Sequence, residues 1–242
     1  MAGILQMQSV QPGQIITDGL QLWLEPDLYA SYTGSGTTCY DLSSNKYTTT
    51  LVNGVGYSNA RAPSFTFNGA TNYRYINTNQ YLSSNTFTLS SWFKSSITTT
   101  YQMLFSKEQV GGSPWNYRLF LSLTTGYLVA DTALGPGSSE SLGGSTNLCN
   151  GVWHNAVFVR DPTGGNLYLY VDGVQVATTP TTLGNIGNNQ NCWIGLSAYT
   201  GASINGSYPV NGNIGQSLIY NVALSAYQIK QNFNAMRGVY GV

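Results

Sequence analysis

The chain is written in short alternating segments closed by turns, a pattern that only an antiparallel β fold satisfies throughout. Its clearest case is Leu167-Tyr168-Leu169-Tyr170-Val171-Asp172-Gly173-Val174-Gln175-Val176-Ala177. Two β-favouring runs flank Asp-Gly, which supplies the consecutive positive φ values that a two-residue hairpin requires. Just upstream, Asp161-Pro162-Thr163-Gly164-Gly165-Asn166 forms a second turn from residues with local turn chemistry. Residues 153–178 therefore read as three consecutive antiparallel strands.

The same reasoning predicts strands at 20–24, 48–52, 64–67, 87–94, 102–107, 117–123, 127–131, 152–160, 167–171, 174–178, 192–197 and 212–220. In the segment 87–94, Phe87, Leu89, Ser91 and Phe93 share one face, and Thr88, Ser90, Trp92 and Lys94 share the other. One helix is expected near the C-terminus. Ser225 is an N-cap and Gln228 completes a capping box. Ile229, Phe233 and Met236 recur at helical spacing, and Gly238 stands where a glycine stop belongs. Residues 1–14, closed by Pro12-Gly13, read as an irregular arm, and residues 15–242 as one domain.

Composition narrows the partners. Charged residues are only 7%, against roughly a quarter in typical soluble proteins, and nine basic residues balance nine acidic ones. A phosphate backbone needs clustered Lys and Arg, so nucleic acid is not an expected partner. The polybasic route to anionic membranes is missing as well. No run reaches the ~20 apolar residues needed to span a bilayer, and the first residues lack a signal peptide's basic start and apolar stretch. Hydrophobic residues at 42% and aromatics at 13% supply a core, leaving Ser, Thr, Asn, Gln and Tyr to solvate the surface. Adhesins, sugar binders and virus shell proteins share this character. Cys39, Cys149 and Cys192 lack metal-site spacing and read as buried thiols or at most one disulfide.

The segments also carry a family likeness. Trp153-His154-Asn155-Ala156-Val157-Phe158-Val159-Arg160-Asp161, followed by the hairpin at 167–177, resembles the central strands of concanavalin A-like, laminin-G-type domains. Leu20-Gln21-Leu22-Trp23-Leu24 is similar to their opening strand. Tyr40-Asp41-Leu42-Ser43 and Phe67-Asn68-Gly69-Ala70-Thr71-Asn72-Tyr73 are similar to the next two segments, and Phe87 to Lys94 and Leu104-Phe105-Ser106-Lys107 to later core strands. The run from Asn213 to Ser225 is similar to the closing strand and its exit into a helix. The likeness spans residues 17–238. It implies an all-β, two-sheet antiparallel jelly-roll sandwich with one short C-terminal helix. The Leu-Trp-Leu opening and the Gln-Asn-Phe-Asn-Ala tail resemble versions in phage and large-virus virion proteins. Members of the family carry acids in the closing strand where this chain has Gly215 and Gln216, which argues against a family-type calcium site there.

Few residues of the chain could carry chemistry. Retaining glycosidases need two carboxylates about 5 Å apart. The local candidate, Glu25-Pro26-Asp27, is interrupted by proline and reads as a solvated strand exit. His154, the sole histidine, has no Gly-x-Ser-x-Gly elbow to accompany it and reads as structural, beside a core Trp. Asp41, Asp131, Asp161 and Asp172 could donate to calcium, but they are also turn formers, so no cofactor is predicted. Trp115, Tyr117, Tyr199 and Tyr208, with the 185–191 loop, are the candidate contact residues for a glycan or a protein. Ile4, Leu5 and Met7 of the arm gain energy only if a neighbour covers them.

The expected function is a non-enzymatic virion structural or surface protein, made in the host cytoplasm without a signal peptide. It would assemble with other virion subunits and form a homo-oligomer. The alternative is a lectin-like module that binds a host-surface glycan for attachment, and a glycoside hydrolase ranks below both.

Overall fold

The computed structural model describes residues 14–70, 74–80, 82–108, 115–135, 137–187, 189–197 and 208–242. Its elements, in chain order, are β1 (Leu20–Leu24), β2 (Thr38–Tyr40), β3 (Thr48–Val52), β4 (Gly56–Ser58), β5 (Ser64–Asn68), β6 (Tyr75–Asn77), β7 (Phe87–Lys94) and β8 (Gln102–Glu108). They continue with β9 (Trp115–Leu121), β10 (Leu128–Gly135), β11 (Ser138–Gly143), β12 (His154–Asp161), β13 (Asn166–Val171), β14 (Val174–Pro180), β15 (Trp193–Ile194), β16 (Asn211–Tyr220) and α1 (Ala226–Tyr240).

The strands form two antiparallel sheets. The first runs β14-β13-β12-β7-β16-β5-β4, and the second β11-β10-β9-β8-β15-β6-β3-β2. In the first sheet β16 is long enough to take two partners on one side. Its start, from Asn211 to Ile214, pairs with β5, and its end, from Ser217 to Tyr220, pairs with β1. Between those halves its register against β7 shifts. That bulge holds Gly215 and Gln216.

Phe87, Leu89 and Phe93 of β7 meet Phe105, Leu119 and Leu121 of the second sheet in the main core. Each such side chain is worth roughly 1.5–3 kcal/mol on burial. The first sheet is also covered on its outer face, which explains why β7 is buried on both sides. There α1 lays Ile229 against Val157, Val159, Leu218 and Tyr220. Farther along, Trp92 stacks on Phe233 and Tyr240 at 5.5 and 4.3 Å, and Trp153 meets Tyr240 at 4.7 Å. The start of the described chain is tied to the same helix, because Ile16 N donates to Asn232 Oδ1 at 2.9 Å and Tyr220 Oη donates to Ile16 O at 2.9 Å.

The capping box forms as expected, with Gln228 N donating to Ser225 Oγ and Ser225 N donating to Gln228 Oε1. The helix does not stop at Gly238. It continues to Tyr240 and ends at Gly241, whose φ of 75° is left-handed and whose N–H returns to Arg237 O. Packing Tyr240 on the two tryptophans stabilises that extra turn, which an exposed Gly238 has no means to prevent. Alternation misses β2, β4 and β6 because three residues show no period. It misses β11 because only Leu142 in that strand is buried. The strand expected at 192–197 shrinks to Trp193–Ile194.

Candidate functional site

The rim of the sandwich beside the β13–β14 hairpin holds a cavity of about 330 Å³, which falls within the range of small-molecule sites. Its position follows from the turn. Asp172 and Gly173 take φ of 52° and 73°, as the sequence demands. A side chain at Gly173 would meet Lys230 Cδ at 2.8 Å, so the turn lies against α1 and only glycine fits.

The turn in turn fixes the Asp172 carboxylate. Asn155 N donates to its Oδ1 at 2.8 Å, and its Oδ2 faces His154 Nδ1 at 2.8 Å. The other imidazole nitrogen, Nε2, faces Asn150 Oδ1 at 3.2 Å. Among the described residues the atom that faces Nε2 is this amide oxygen, and the carboxylate orients the ring. Sequence reasoning takes His154 as merely structural, and the structure places it in a cavity wall. The signal was present in the sequence only as an Asp-Gly turn 18 residues away.

Opposite this pair, the segment after β11 brings Ser145 and Thr146 to the cavity, and Leu128, Leu148 and Val176 give it an aliphatic side. Gly144 N donates to Leu128 O and Leu148 N to Gly126 O, so backbone bonds anchor that segment to the second sheet. Two hydroxyls and a held carboxylate–imidazole pair above an aliphatic wall form an arrangement suited to a polyol. The polar groups exchange hydrogen bonds with hydroxyls while the C–H faces cover the aliphatic wall.

The residues singled out from the sequence do not converge there. Tyr117 is 1% exposed, with its ring 5.0 Å from Phe87, and belongs to the core. Burial pushes its phenol well above the usual range. It falls on the inward side of β9, which corrects its assignment as a contact residue. Tyr208 is exposed, 5.2 Å edge-on from Tyr101, which in turn meets Phe120 at 5.9 Å. Arg118 lies over Phe120 and forks onto Asp131 through Nε at 2.8 Å and Nη2 at 2.6 Å. That cluster is built on the second sheet and contributes nothing to the rim cavity. Trp115 opens β9, but its side chain lies outside the described residues, as do Tyr199 and Ile4, Leu5 and Met7 of the arm.

Glu25 is another correction. It is 1% exposed and no solvated strand exit, whereas Asp27 is exposed. Gln216 Nε2 donates to its Oε2, and desolvation pushes the carboxyl up to about 7. The aspartates considered for calcium are each engaged elsewhere. Asp41 accepts from Trp23 N, Ser43 N and Ser43 Oγ, and Asp161 accepts from Gly164 N. Among the described residues no three His, Cys, Asp or Glu side chains group to hold a metal ion. The three cysteines are buried and free, and burial pushes the Cys39 and Cys192 thiols up to about 11.

Comparison with known proteins places these features in a family context. Residues 67–230 match the model of the concanavalin A-like lectin/glucanases superfamily, in its laminin-G form. No curated protein sequence matches. Among solved structures, the binding domain of Paraclostridial mosquitocidal protein 1 superposes with a TM-score of 0.68 at 17% identity, over 92% of this chain and 55% of that one. The binding domain of botulinum neurotoxin DC, solved in complex with SialylT, gives 0.67 at 13%, over 91% and 52%. Botulinum neurotoxin type C, whose cell entry is described as dependent on two ganglioside molecules, gives 0.67 at 13%, over 91% and 52%. These likenesses establish a shared jelly-roll fold, and the chain spans about half the length of the toxin domains it matches.

Proposed function

Because the chain belongs to the concanavalin A-like lectin/glucanases superfamily, we propose that it is a non-enzymatic, lectin-like module that binds a glycan in the His154–Asp172 rim cavity. The observation that carries this reading is the convergence of Ser145, Thr146, His154 and Asp172 on one cavity with an aliphatic side. These groups reach it from separate segments of the chain; Asn155 and Asn150 hold the Asp172–His154 pair, and backbone bonds at Gly144 and Leu148 flank the exposed Ser145 and Thr146. Pre-organised polar groups lower the ordering cost of binding a flexible, hydroxyl-rich ligand. The structural neighbours named for SialylT and ganglioside lend support through fold alone.

Assembly with virion subunits, the first expectation from sequence, rests on the low-charge surface, the missing signal peptide and the likeness to virion proteins, and its docking segment with Ile4, Leu5 and Met7 lies outside the described residues. No described feature favours it over glycan binding. No helix among the described residues is long and apolar enough to cross a membrane.

Screening the protein on a glycan array, beside a Val176→Trp variant, tests the proposal. Val176 is 44% exposed, so an indole there fills the cavity without disturbing the core. The expected result is retention of a defined set of glycans and at least a tenfold loss in the variant. A folded protein that retains none, or a variant that binds equally well, overturns the reading.

A further inference from the structure

A second cavity, of about 220 Å³, lies on the outer face of the first sheet beside the end of α1. Neighbouring strands form its polar floor. Asn213 of β16 sits across from Lys94 of β7 on one side and Thr66 of β5 on the other. The Asn213 Nδ2 donates to Ser64 Oγ at 3.2 Å. Trp153 supplies an aromatic wall, with the Lys94 ammonium 5.6 Å from its ring centroid. Arg61 enters from the segment between β4 and β5, and its guanidinium would lie 3.6 Å from a side chain placed on Gly241.

The charge balance of this cavity is unlike that of the chain. The protein has nine basic residues against nine acidic ones, and two of the nine basic residues line this one cavity. No Asp or Glu lines it. Neither Arg61 nor Lys94 has an ion-pair partner among the described residues, although Arg118 and His154 both face carboxylates. Two acids act on the Tyr240 wall from outside the cavity: Glu25 is bonded to Gln216 behind it, and Asp27 is exposed, but neither lines the cavity. Two cations without counter-charges, an indole and an amide–hydroxyl floor are complementary to a ring that bears a negative group.

We propose that this cavity binds an acidic sugar residue, with its carboxylate or sulfate between Arg61 and Lys94 and its ring against Trp153. The volume is below that of drug-sized sites, about 300–1,000 Å³, and accommodates one such residue. The site shares no lining residue with the rim cavity and stands or falls independently of it.

The test is titration of the full chain with the methyl glycoside of N-acetylneuraminic acid, galactose 6-sulfate, galactose and inorganic sulfate, followed through the Trp153 indole N–H resonance by NMR. Arg61→Gln and Lys94→Gln are compared with the parent chain. Arg61 is exposed and Lys94 half-exposed, so both variants fold, which circular dichroism verifies. The expected result is saturable binding of at least one acidic sugar, at least tenfold tighter than galactose. Each variant loses about tenfold, and Val176→Trp loses nothing. Equal binding of galactose, no binding of either acidic sugar, or unchanged binding in the Arg61→Gln, Lys94→Gln double variant overturns it. Inorganic sulfate binding as tightly as galactose 6-sulfate overturns the role of the sugar ring.

Discussion

Gln216 Nε2 donates to Glu25 Oε2 at 2.6 Å inside the protein, joining the bulge of β16 to the end of β1. The same Gln216 gives its backbone N–H to Tyr240 Oη at 2.7 Å. One buried carboxyl, one bulge and the last turn of the helix are thus a connected unit. Glu25 Oε1 has no hydrogen-bond partner, and the carboxyl is raised to about 7 chiefly by desolvation.

That raised value makes stability depend on pH. The folded state holds the Glu25 proton up to about pH 7, and the unfolded chain releases it near 4.5. Between those values the folded state binds more protons, so stability falls as pH rises and levels off above the folded value. The full effect is about 3 kcal/mol. Glu25→Gln keeps a partner for Gln216 and removes the charge. Urea unfolding at pH 5 and pH 8 should show the parent chain losing more stability than the variant across that interval. Parallel losses in the two proteins would rule the mechanism out.

Gly215 lies directly beneath the same phenol. A Cβ on it would sit 2.2 Å from Tyr240 Oη, and Tyr240 is itself stacked on Trp92 and packed at a tilt against Trp153. Gly215→Ala should destabilise the protein by roughly 1–3 kcal/mol, the range for overpacking a tight interior. Thermal denaturation gives the size of the loss. Hydrogen exchange should show it concentrated in the last turn of α1.

The helix start offers a cleaner measurement. Ser225→Ala removes the acceptor for Gln228 N and half of a reciprocal pair at an exposed site. The expected cost is about 1 kcal/mol, as for other lost N-caps. Ser225→Asp should restore most of it in the same denaturation assay.

Arg160 should be far less tolerant. Its side chain is fully buried, and it donates to Asn85 O and Oδ1, to Leu183 O and to Gly184 O. It thereby ties the segment before β7 to the one after β14. Arg160→Met removes the donor to these part-buried oxygens at once, and a buried polar group left unpaired costs about 1–3 kcal/mol. The variant should lose at least about 3 kcal/mol in urea unfolding. A loss under about 1 kcal/mol would mean that water replaces the guanidinium at those carbonyls.

The local features of this protein were legible in its sequence. The Asp172-Gly173 hairpin and its flanking strands, the alternation of β7 and the Ser225–Gln228 cap each depend on residues within a few positions of one another. The order of the segments sufficed to recognise a two-sheet jelly roll. The helix stop was misread because Gly241 and Gly238 look alike locally, and only the seating of Tyr240 on Trp92 and Trp153 distinguishes them. Glu25 was misread for the same kind of reason, since its partner Gln216 lies 191 residues away. Both cavities belong to this second class. Ser145, His154 and Asp172, or Arg61, Lys94 and Trp153, acquire meaning only when separate strands and loops bring them to one place. Backbone propensity and turn chemistry act over a few residues and so are written in sequence. Burial, charge balance and the convergence of side chains depend on which distant segment packs alongside, and the tertiary structure alone decides that.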